Sequence, residues 1–423
     1  LLRADGPAAA MLLLTAVVSA AVTVYSIAYL PLATDATARA WFWPLWLALW
    51  TGLNGLFLSG DVFNVFVALE LVGLSAVGLV FLAGGRGALV GGTRYLLAAW
   101  LGSSTYLIGV ALAYGAFDTL DMAQLAERAD GRPAAVAALG FATAGLLVKA
   151  ALFPLHFWLP RAHASAPAPV SAALSALVVT AAFTVIARLW SEALAEAVTP
   201  PAGTLVGALG AAAIVWGSLL AICQDRLKLL IAYSTVAQLG YLFLLIPMGA
   251  VPLGDPGLPD QAALDAWTGG FYYAVSHGIA KAALFLAAGC LIHAAGSERI
   301  VDLAGIAGRL PISSFAFAIA GITLVGLPPS GGFVAKWYLV SAAVRGGEGW
   351  WAGIILGGSL LTAVYVLAVV RPAFAQMSAP RETAPVPRIM EICAMGLALV
   401  AVILGLRATE GLELLGIGAG NRP

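Results

Sequence analysis

Three lysines and one glutamate lie inside long apolar stretches of the sequence, where ionisable side chains are rare. Lys149 lies within FATAGLLVKAALFPLHFWLP, Lys281 within SHGIAKAALFLAAG and Lys336 within GLPPSGGFVAKW, while Glu70 ends SGDVFNVFVALE. A charge at the centre of a membrane helix costs about 2.5–3.5 kcal/mol on insertion scales. A desolvated lysine can lose its proton, whereas arginine stays charged. These residue types in this setting therefore predict proton exchange.

One histidine extends this group. His277 precedes Lys281 by four residues, so the two side chains share one face of a helix. The competing interpretation for each lysine is snorkelling, in which the stem stays in lipid and the amine reaches the interface. It is strongest for Lys336, which lies nearest to the end of its apolar stretch. For His277 the alternative is an ordinary buried histidine.

The composition indicates the environment that surrounds these lysines and this glutamate. Hydrophobic residues make up 61% of the 423 residues, charged residues only 10%, and the mean hydropathy is +0.97. Globular domains are about a quarter charged, so the sequence predicts a multi-pass protein of the lipid bilayer. The formal net charge of zero gives no indication of nucleic-acid binding. Cys223, Cys290 and Cys393 form no CxxC pair, and the sequence indicates no metal site and no cofactor.

The apolar stretches set the number of membrane crossings. A membrane-spanning helix needs about 20 mostly apolar residues. Twelve stretches qualify: 9–30, 41–59, 61–83, 89–114, 134–158, 167–190, 203–223, 229–248, 267–293, 311–340, 350–374 and 387–408. The predicted fold class is therefore an all-α polytopic membrane protein.

Two of the stretches are interrupted. Pro154 lies in the fifth and Pro328, beside a second proline and two glycines, in the tenth. Proline removes a backbone donor and clashes with the preceding turn, so both helices should break. Irregular backbone at membrane depth is tolerated only against protein or a water-filled cavity. In transporters, broken helices paired across inverted halves mark the ion path.

Counting the helices predicts the organisation. Two blocks of five stretches each contain one broken helix, and the odd number makes the second block enter from the opposite face. This predicts two inverted five-helix repeats. The predicted divisions are an N-terminal flanking helix (1–40), the first repeat (41–190, the first half), the second repeat (203–374, the second half) and a C-terminal flanking helix with a tail (387–423).

The distribution of basic residues predicts the orientation. Loops on the N-terminal side contain seven basic residues, counting Arg188, and the opposite loops contain eleven, counting Lys228. Cytoplasmic loops carry an excess of Lys and Arg, so the second set is predicted to be cytoplasmic. By this count every basic residue inside a helix is a lysine.

The motifs together resemble the antiporter-like proton-channel subunits shared by respiratory complex I and Mrp cation/proton antiporters. Two further stretches, TLDMAQLAE (119–127) and SLLTAVYVLAVVRPAF (359–374), are most similar to the Mrp D-type subunit and its relatives in membrane-bound hydrogenases. The matching stretches follow the order of the family: 59–70, 146–172, 224–241, 276–289 and 326–337.

The resemblance implies a role for each candidate residue. It implies fourteen helices in a full chain, of which the first two would be missing here, in a bacterial or archaeal cytoplasmic (inner) membrane. Glu70 would pair with Lys149, and water along a polar axis would connect the groups. The implied proton relay consists of Glu70, Lys149, His277, Lys281 and Lys336. The implied supporting channel residues are His156, His163, Thr180, Pro154 and Pro328.

One position departs from the family pattern. The family often has a lysine in the helix after the first broken one, two turns before an arginine. Here Thr180 occupies that position ahead of Arg188. A threonine can orient water but cannot hold a proton at neutral pH, so the lateral connection would be weakened, or Lys281 alone would serve the centre.

The resemblance implies partners rather than a catalytic site in this chain. The expected function is proton translocation, with Na⁺ or K⁺ as candidate exchanged ions, in an Mrp-type complex with other membrane subunits. The alternative is the corresponding subunit of a redox-driven complex, such as complex I or a membrane-bound hydrogenase. A stand-alone transporter of an organic solute and a degenerate scaffold with vestigial lysines also remain open.

Overall fold

The computed structural model describes residues 2–250, 260–376 and 383–417, and this part of the chain is almost entirely helical. Extended backbone pairs there only in isolated bridges, such as Asp61 with Asp121. The α-helices in this part are α1 (Gly6–Ala33), α2 (Ala36–Leu58), α3 (Val62–Phe81), α4 (Gly85–Phe117), α5 (Met122–Arg128), α6 (Pro133–Lys149), α7 (Leu159–Ser165), α8 (Ala168–Ala173), α9 (Val179–Arg188), α10 (Pro200–Ile222), α11 (Leu227–Phe243), α12 (Asp260–Ala295), α13 (Pro311–Val325), α14 (Gly331–Arg345), α15 (Gly349–Ala373), α16 (Arg388–Leu406) and α17 (Ala408–Gly416). The all-α prediction is confirmed.

In the described residues, fewer helices are long and apolar enough to cross a membrane than the twelve stretches predicted. The helix α2 forms over its predicted stretch but is not among them, and the two interrupted stretches divide into shorter helices. The nine spans in the described residues, long and apolar enough to cross a membrane, are Gly6–Ala33, Val62–Phe81, Gly85–Phe117, Ala168–Ala193, Pro200–Ile222, Leu227–Gly249, Gln261–Ala295, Gly349–Ala373 and Arg388–Leu406. The division into two inverted repeats stays a prediction.

Both predicted helix breaks occur, and they are built alike. After α6 the chain is irregular until α7 begins, and Ala151 adopts a left-handed conformation with φ 51°. After α13 the chain turns at Gly326, which has φ 86°. Ser330 caps the start of α14, where its side chain accepts a hydrogen bond from the backbone N–H of Phe333. Pro154 and Pro328 lie in these gaps and are exposed. The breaks therefore turn their prolines outward.

Three spans form the centre of the molecule. The segment Ala168–Ala193, which joins α8 and α9 through a π-helical turn at Leu174–Val178, is wholly buried. The helices α11 and α12 are mostly buried, whereas the other candidate spans are half buried or less. Helices α1 and α16, from the two predicted flanking segments, pack against each other and against α12. The central helices are thus shielded from lipid, which is where ionisable side chains are tolerated.

The helix that carries Lys149 crosses α4 at very short range. A Cβ atom on Gly145 would overlap the carbonyl oxygen of Gly102, so only glycine permits this approach. Close crossings at small residues are typical of membrane helices. The crossing places the stem of Lys149 directly against Gly102. Its amine is thereby held between α3 and α4.

Candidate functional site

The first half brings one acid and one base together. The Nζ atom of Lys149, at the end of α6, lies 3.7 Å from the Oε1 atom of Glu70 on α3. Glu70 also accepts a hydrogen bond from the hydroxyl of Ser103 on α4, and Lys149 donates to the carbonyl of Leu69 at 3.4 Å. The Lys149 side chain is 9% exposed and that of Glu70 27%. This is a partly buried ion pair held by three helices.

A small cavity adjoins Lys149 and is bounded on one side by the buried span Ala168–Ala193. Its volume is about 20 Å³, and its walls include Lys149, Tyr95 and Val178, the last residue of the π-helical turn. A cavity needs about 10–15 Å³ to hold one water molecule. The space beside the Lys149 amine therefore suits a single water that could bind it.

The central lysine has neutral partners. Lys281 on α12 is fully buried, and its amine donates to the hydroxyl of Ser234 and, at 3.2 Å, to the carbonyl of Ile231 on α11. His277, one turn earlier, stacks on Tyr273 with ring centroids 6.1 Å apart. Its ring lies near the carbonyl of Ser175 without a hydrogen bond of normal geometry. Residue types that hold or sense protons thus meet at the centre of the protein.

The second helix break forms the binding site for the third lysine. The amine of Lys336 donates to the carbonyls of Leu324 and Val325, at 2.9 and 3.2 Å, and to the hydroxyl of Ser359 at 2.9 Å. It also lies 4.2 Å from the centroid of the Tyr241 ring. The last carbonyls of a helix lack intrahelical donors and carry partial negative charge. The end of α13 and an aromatic face therefore take the place of a carboxylate.

The contacts of the three lysine amines exclude snorkelling to the membrane surface. The amines of Lys149, Lys281 and Lys336 bind partners inside the protein, and Lys281 and Lys336 are 0% and 5% exposed. Neither of the latter two forms an ion pair within the described residues. All three side chains therefore face the protein interior rather than the membrane surface.

The predicted supporting residues are placed less uniformly. His163 is buried, stacks on Phe285 of α12 at 5.1 Å and lies within electrostatic range of Lys281 and Lys228, so it belongs to the centre rather than to the first break. His156 is half-buried at the break and stacks on Phe153 at 5.7 Å. No described contact joins His156 to Lys149.

Thr180 satisfies its hydroxyl locally. It donates to the carbonyls of Ala176 and Leu177, at 2.8 and 3.0 Å, both in its own helix. Such back-bonding is common for threonine inside helices. The structure does not bring Thr180 to any of the lysines, in keeping with the departure noted at this position.

The assignment of two basic residues to loops is wrong. Lys228 is buried, and its amine donates to the carbonyl of Ala166 and, at 3.5 Å, to that of Ala164, at the end of α7. Arg188 is 3% exposed and lies 2.7 Å from the carboxylate of Asp5. Both residues lie at helix ends, where hydropathy does not distinguish a tertiary partner from solvent. Buried basic residues are thus not all lysines.

Sequence reasoning also missed a set of neutral polar residues. They recur every three or four positions on three helices, a spacing that places each set on one helical face. The members are Ser234, Gln238 and Tyr241 on α11, Tyr273 on the face of His277 and Lys281 on α12, and Ser359, Thr362 and Tyr365 on α15. All but Ser359 are buried.

The described residues contain no cluster of three His, Cys, Asp or Glu side chains suited to a metal ion. Cys223, Cys290 and Cys393 are free. The ionisable groups described above are therefore the candidates for chemistry in this part of the chain.

Comparison with known proteins places this geometry in context. Residues 59–362 match the family described as NADH:quinone oxidoreductase/Mrp antiporter, TM. The chain is 35% identical over 390 residues to NADH-quinone oxidoreductase subunit N of Desulforudis audaxviator, covering 90% of this chain and 75% of that protein. It is 31% identical over 342 residues to the D-type subunit of the Na(+)/H(+) antiporter of Alkalihalophilus pseudofirmus, covering 79% and 66%.

A solved structure agrees with these relatives. The chain superimposes on a chain of the Mrp complex from Dietzia sp. DQ12-45-1b with a TM-score of 0.86 and 26% identity, covering 100% of this chain and 84% of the other.

Proposed function

Because the chain belongs to the NADH:quinone oxidoreductase/Mrp antiporter membrane family, we propose that its buried amines carry the protons that such a subunit moves. The chain is a proton-translocating, antiporter-like subunit of a multisubunit membrane complex. One observation carries the assignment of residues: Lys149, Lys281 and Lys336 turn their amines inward, and each binds polar groups of neighbouring helices.

In the first half, the ion pair acts as a charge sensor. The Glu70 carboxylate stabilises the Lys149 ammonium while the two lie close together. Any shift that lengthens their 3.7 Å separation weakens this attraction and favours release of a proton from Lys149. The adjoining cavity, which suits one water molecule, offers that proton an acceptor on the side of the central helices.

In the second half, no carboxylate needs to move. Lys281 and Lys336 bind hydroxyls and carbonyls whose positions are fixed by α11, α13 and α15, and they exchange protons through the hydroxyls. A charge brought towards Lys281 from the first half would repel a proton from it towards Lys336. His277 lies within electrostatic range of both lysines and is placed to respond to that transfer.

The driving force comes from partner subunits or from an opposing ion gradient. We place the chain in an Mrp-type complex that exchanges Na⁺ for H⁺ across a bacterial or archaeal cytoplasmic membrane, because a Na(+)/H(+) antiporter subunit and a chain of an Mrp complex are among its relatives. The second candidate is a redox-driven complex, which is favoured by the 35% identity to an NADH-quinone oxidoreductase subunit. The wild-type complex in liposomes decides between them, since it will respond either to a Na⁺ gradient or to an electron donor.

The assignment of the lysines is tested by proton uptake into liposomes that contain the whole complex. Lys149→Met and Lys281→Met each remove an amine while keeping the length of the stem, and each should reduce uptake about a hundredfold, within the range of a lost proton-transfer group. The control is Lys228→Met, which removes a buried amine that caps the end of α7 and should lower thermal stability while leaving uptake within about twofold of wild type. Normal uptake in both test variants would make the chain a scaffold.

A further experiment addresses the stand-alone transporter. The chain without its partners, reconstituted alone, should catalyse no solute uptake above that of empty liposomes. Saturable uptake of an organic solute by the isolated chain would reject the assignment to a multisubunit complex.

A further inference from the structure

The neutral polar residues of the second half form one connected cluster between two of the lysines. Gln238 lies at its centre, where its amide nitrogen donates to Tyr365 at 2.7 Å and to Thr362 at 3.0 Å. Its amide oxygen accepts from the hydroxyl of Tyr273. All four side chains are at most 1% exposed. Both amide protons and the amide oxygen are used, so the orientation of Gln238 is fixed from three sides.

One end of the cluster meets Lys281. The amine of Lys281 donates to the hydroxyl of Ser234, one turn before Gln238 on α11. The Ser234 hydroxyl donates to the Ile231 carbonyl at 2.8 Å and lies near the hydroxyl of Tyr365. The Tyr365 hydroxyl then donates to Thr362 at 3.3 Å. A series of hydroxyls thus begins at the central lysine and crosses from α11 to α15.

The other end of the cluster meets Lys336. The hydroxyl of Tyr241 donates to the Ile355 carbonyl at 3.5 Å and lies near the hydroxyls of Thr362 and Ser359. Ser359 accepts a hydrogen bond from the Lys336 amine at 2.9 Å, and the same amine lies over the Tyr241 ring. The Ser359, Tyr241 and Thr362 hydroxyls thus lie in a row that begins at Lys336, and those of Ser359 and Thr362 donate to carbonyls of their own helix, at 3.0 and 2.8 Å.

The chemistry of these groups suits proton transfer. A hydroxyl carries one proton and two lone pairs, so it can accept a proton on one side while it gives up its own on the other. An amide can hold such groups in register through its two donors and its acceptor. A buried polar network in which every member is satisfied is also rigid. The hydroxyls are therefore the carriers and Gln238 is the residue that positions them.

We propose that protons pass between Lys281 and Lys336 along the hydroxyls of Ser234, Tyr365, Thr362, Tyr241 and Ser359, in that order, with Gln238 as the positioning residue. The proposal rests on the proposed function, which supplies the proton at Lys281. The Ser234, Thr362 and Ser359 hydroxyls must first turn from the backbone carbonyls that they bind. Each step then breaks one O–H or N–H bond and forms another at the next oxygen or nitrogen, so no atom or charge is gained or lost over the series.

The test measures proton uptake by the whole complex in liposomes, with amounts of assembled complex matched between variants. Tyr365→Phe removes one hydroxyl and keeps the ring, and we expect uptake to fall about tenfold or more. Tyr106→Phe is the matched control, because Tyr106 is equally buried and its hydroxyl donates to the Val62 carbonyl at 2.9 Å, outside the cluster. It should retain wild-type uptake.

A second site separates proton transfer from packing. Thr362→Val keeps the shape and removes the hydroxyl, whereas Thr362→Ser keeps the hydroxyl and removes a methyl group. We expect Thr362→Val to fall like Tyr365→Phe and Thr362→Ser to keep at least half of the uptake. In Tyr365→Phe the ratio of uptake in H₂O to uptake in D₂O should also rise, because proton transfer becomes the slow step, an effect that a packing defect would not produce.

Wild-type uptake in both Tyr365→Phe and Thr362→Val would overturn the hydroxyl route, as would an equal loss in Tyr106→Phe. The Lys281→Met variant distinguishes a failure of the hydroxyl route from a failure of the proposed function. If Lys281→Met abolishes uptake while these variants are normal, the lysines carry protons but the hydroxyls do not. If Lys281→Met is itself normal, the proposed function fails first.

Discussion

The two helix breaks hold their lysines in opposite ways. At the first break, Lys149 lies 3.7 Å from a carboxylate that is itself 27% exposed. At the second, Lys336 is surrounded by two helix-end carbonyls, one hydroxyl and an aromatic face. The first arrangement stabilises a charge with a charge, and the second with dipoles alone.

The difference indicates a division of labour. A charge pair responds strongly to small movements, because its energy depends directly on the separation of the two groups. A set of fixed dipoles does not depend on another ionisable group and changes little when a distant charge moves. We therefore propose that the first half senses charge and that the second half passes protons on.

Among substitutions that alter the difference between the two breaks, we expect the largest effect from removing the Glu70 carboxylate. Glu70→Gln keeps the shape and leaves the Lys149 ammonium with neutral partners, among them the Leu69 carbonyl at 3.4 Å. Removing the partner of a buried charged group costs about 1–3 kcal/mol, so proton uptake by the complex should fall roughly 10- to 100-fold. Uptake equal to wild type at matched assembly would show that the pair senses nothing.

A carboxylate introduced at the second break would make its lysine site resemble that of the first. Ser359→Asp places one where a hydroxyl now accepts from Lys336 at 2.9 Å. The added charge should hold the proton on Lys336 and slow proton uptake about tenfold. The pH at which uptake is half-maximal should rise, because release of the Lys336 proton then requires a more basic medium. Ser359→Asn, of equal size and neutral, serves as the control. An equal pH shift in both variants would contradict the charge argument.

A smaller effect is expected from the glycine that ends α13. Gly326 has φ 86°, and a Cβ atom there would lie 2.7 Å from the Cδ atom of Lys336. The left-handed conformation alone costs an alanine about 1–2 kcal/mol, and the overlap also displaces Lys336. Gly347→Ala is matched, since Gly347 has φ 75° but open space around it. Thermal unfolding should shift more for Gly326→Ala than for Gly347→Ala, and only the former should reduce uptake.

The smallest effect belongs to an exposed ion pair in the first half. Two hydrogen bonds from Arg132, at 2.7 and 2.8 Å, hold the pKa of Asp130 below its ordinary value. A carboxylate with a lowered pKa in the folded state contributes stability above its unfolded value of about 3.9, and the contribution disappears as the pH falls through the folded value. Asp130→Asn should therefore lower the Tm slightly at pH 7 and leave it unchanged in acid.

The control readout for this variant is proton uptake, which should equal wild type because the pair is far more exposed than Glu70 and Lys149. A Tm difference that grows on acidification would contradict the sign of the effect.

Much of the fold could be predicted because its signals are strong. Apolar stretches of fixed length located the helices, and proline located both breaks. The sequence alone identifies three ionisable residues inside apolar stretches, Lys149, Lys281 and Lys336. The binding of Lys336 by the end of α13 could not be predicted, because it depends on how the two pieces of the broken helix meet.

Other features lacked a distinctive signal. Gln238, Thr362 and Tyr365 are neutral, and in the sequence they resemble ordinary polar residues of a membrane helix. They lie on two helices, α11 and α15, so their meeting depends on how those helices pack. Lys228 and Arg188 lie near helix ends, where a loop position and a buried contact look the same until the partners, the end of α7 and Asp5, are located.

The most direct test is a density map of the intact complex at a resolution that shows ordered water. The polar axis should be continuous: water beside the Lys149 amine and past Thr180 to Lys281, then the hydroxyls around Gln238 up to Lys336. A dry apolar layer between Lys149 and Lys281, with no solvent between their amines, would contradict proton transfer along one connected axis.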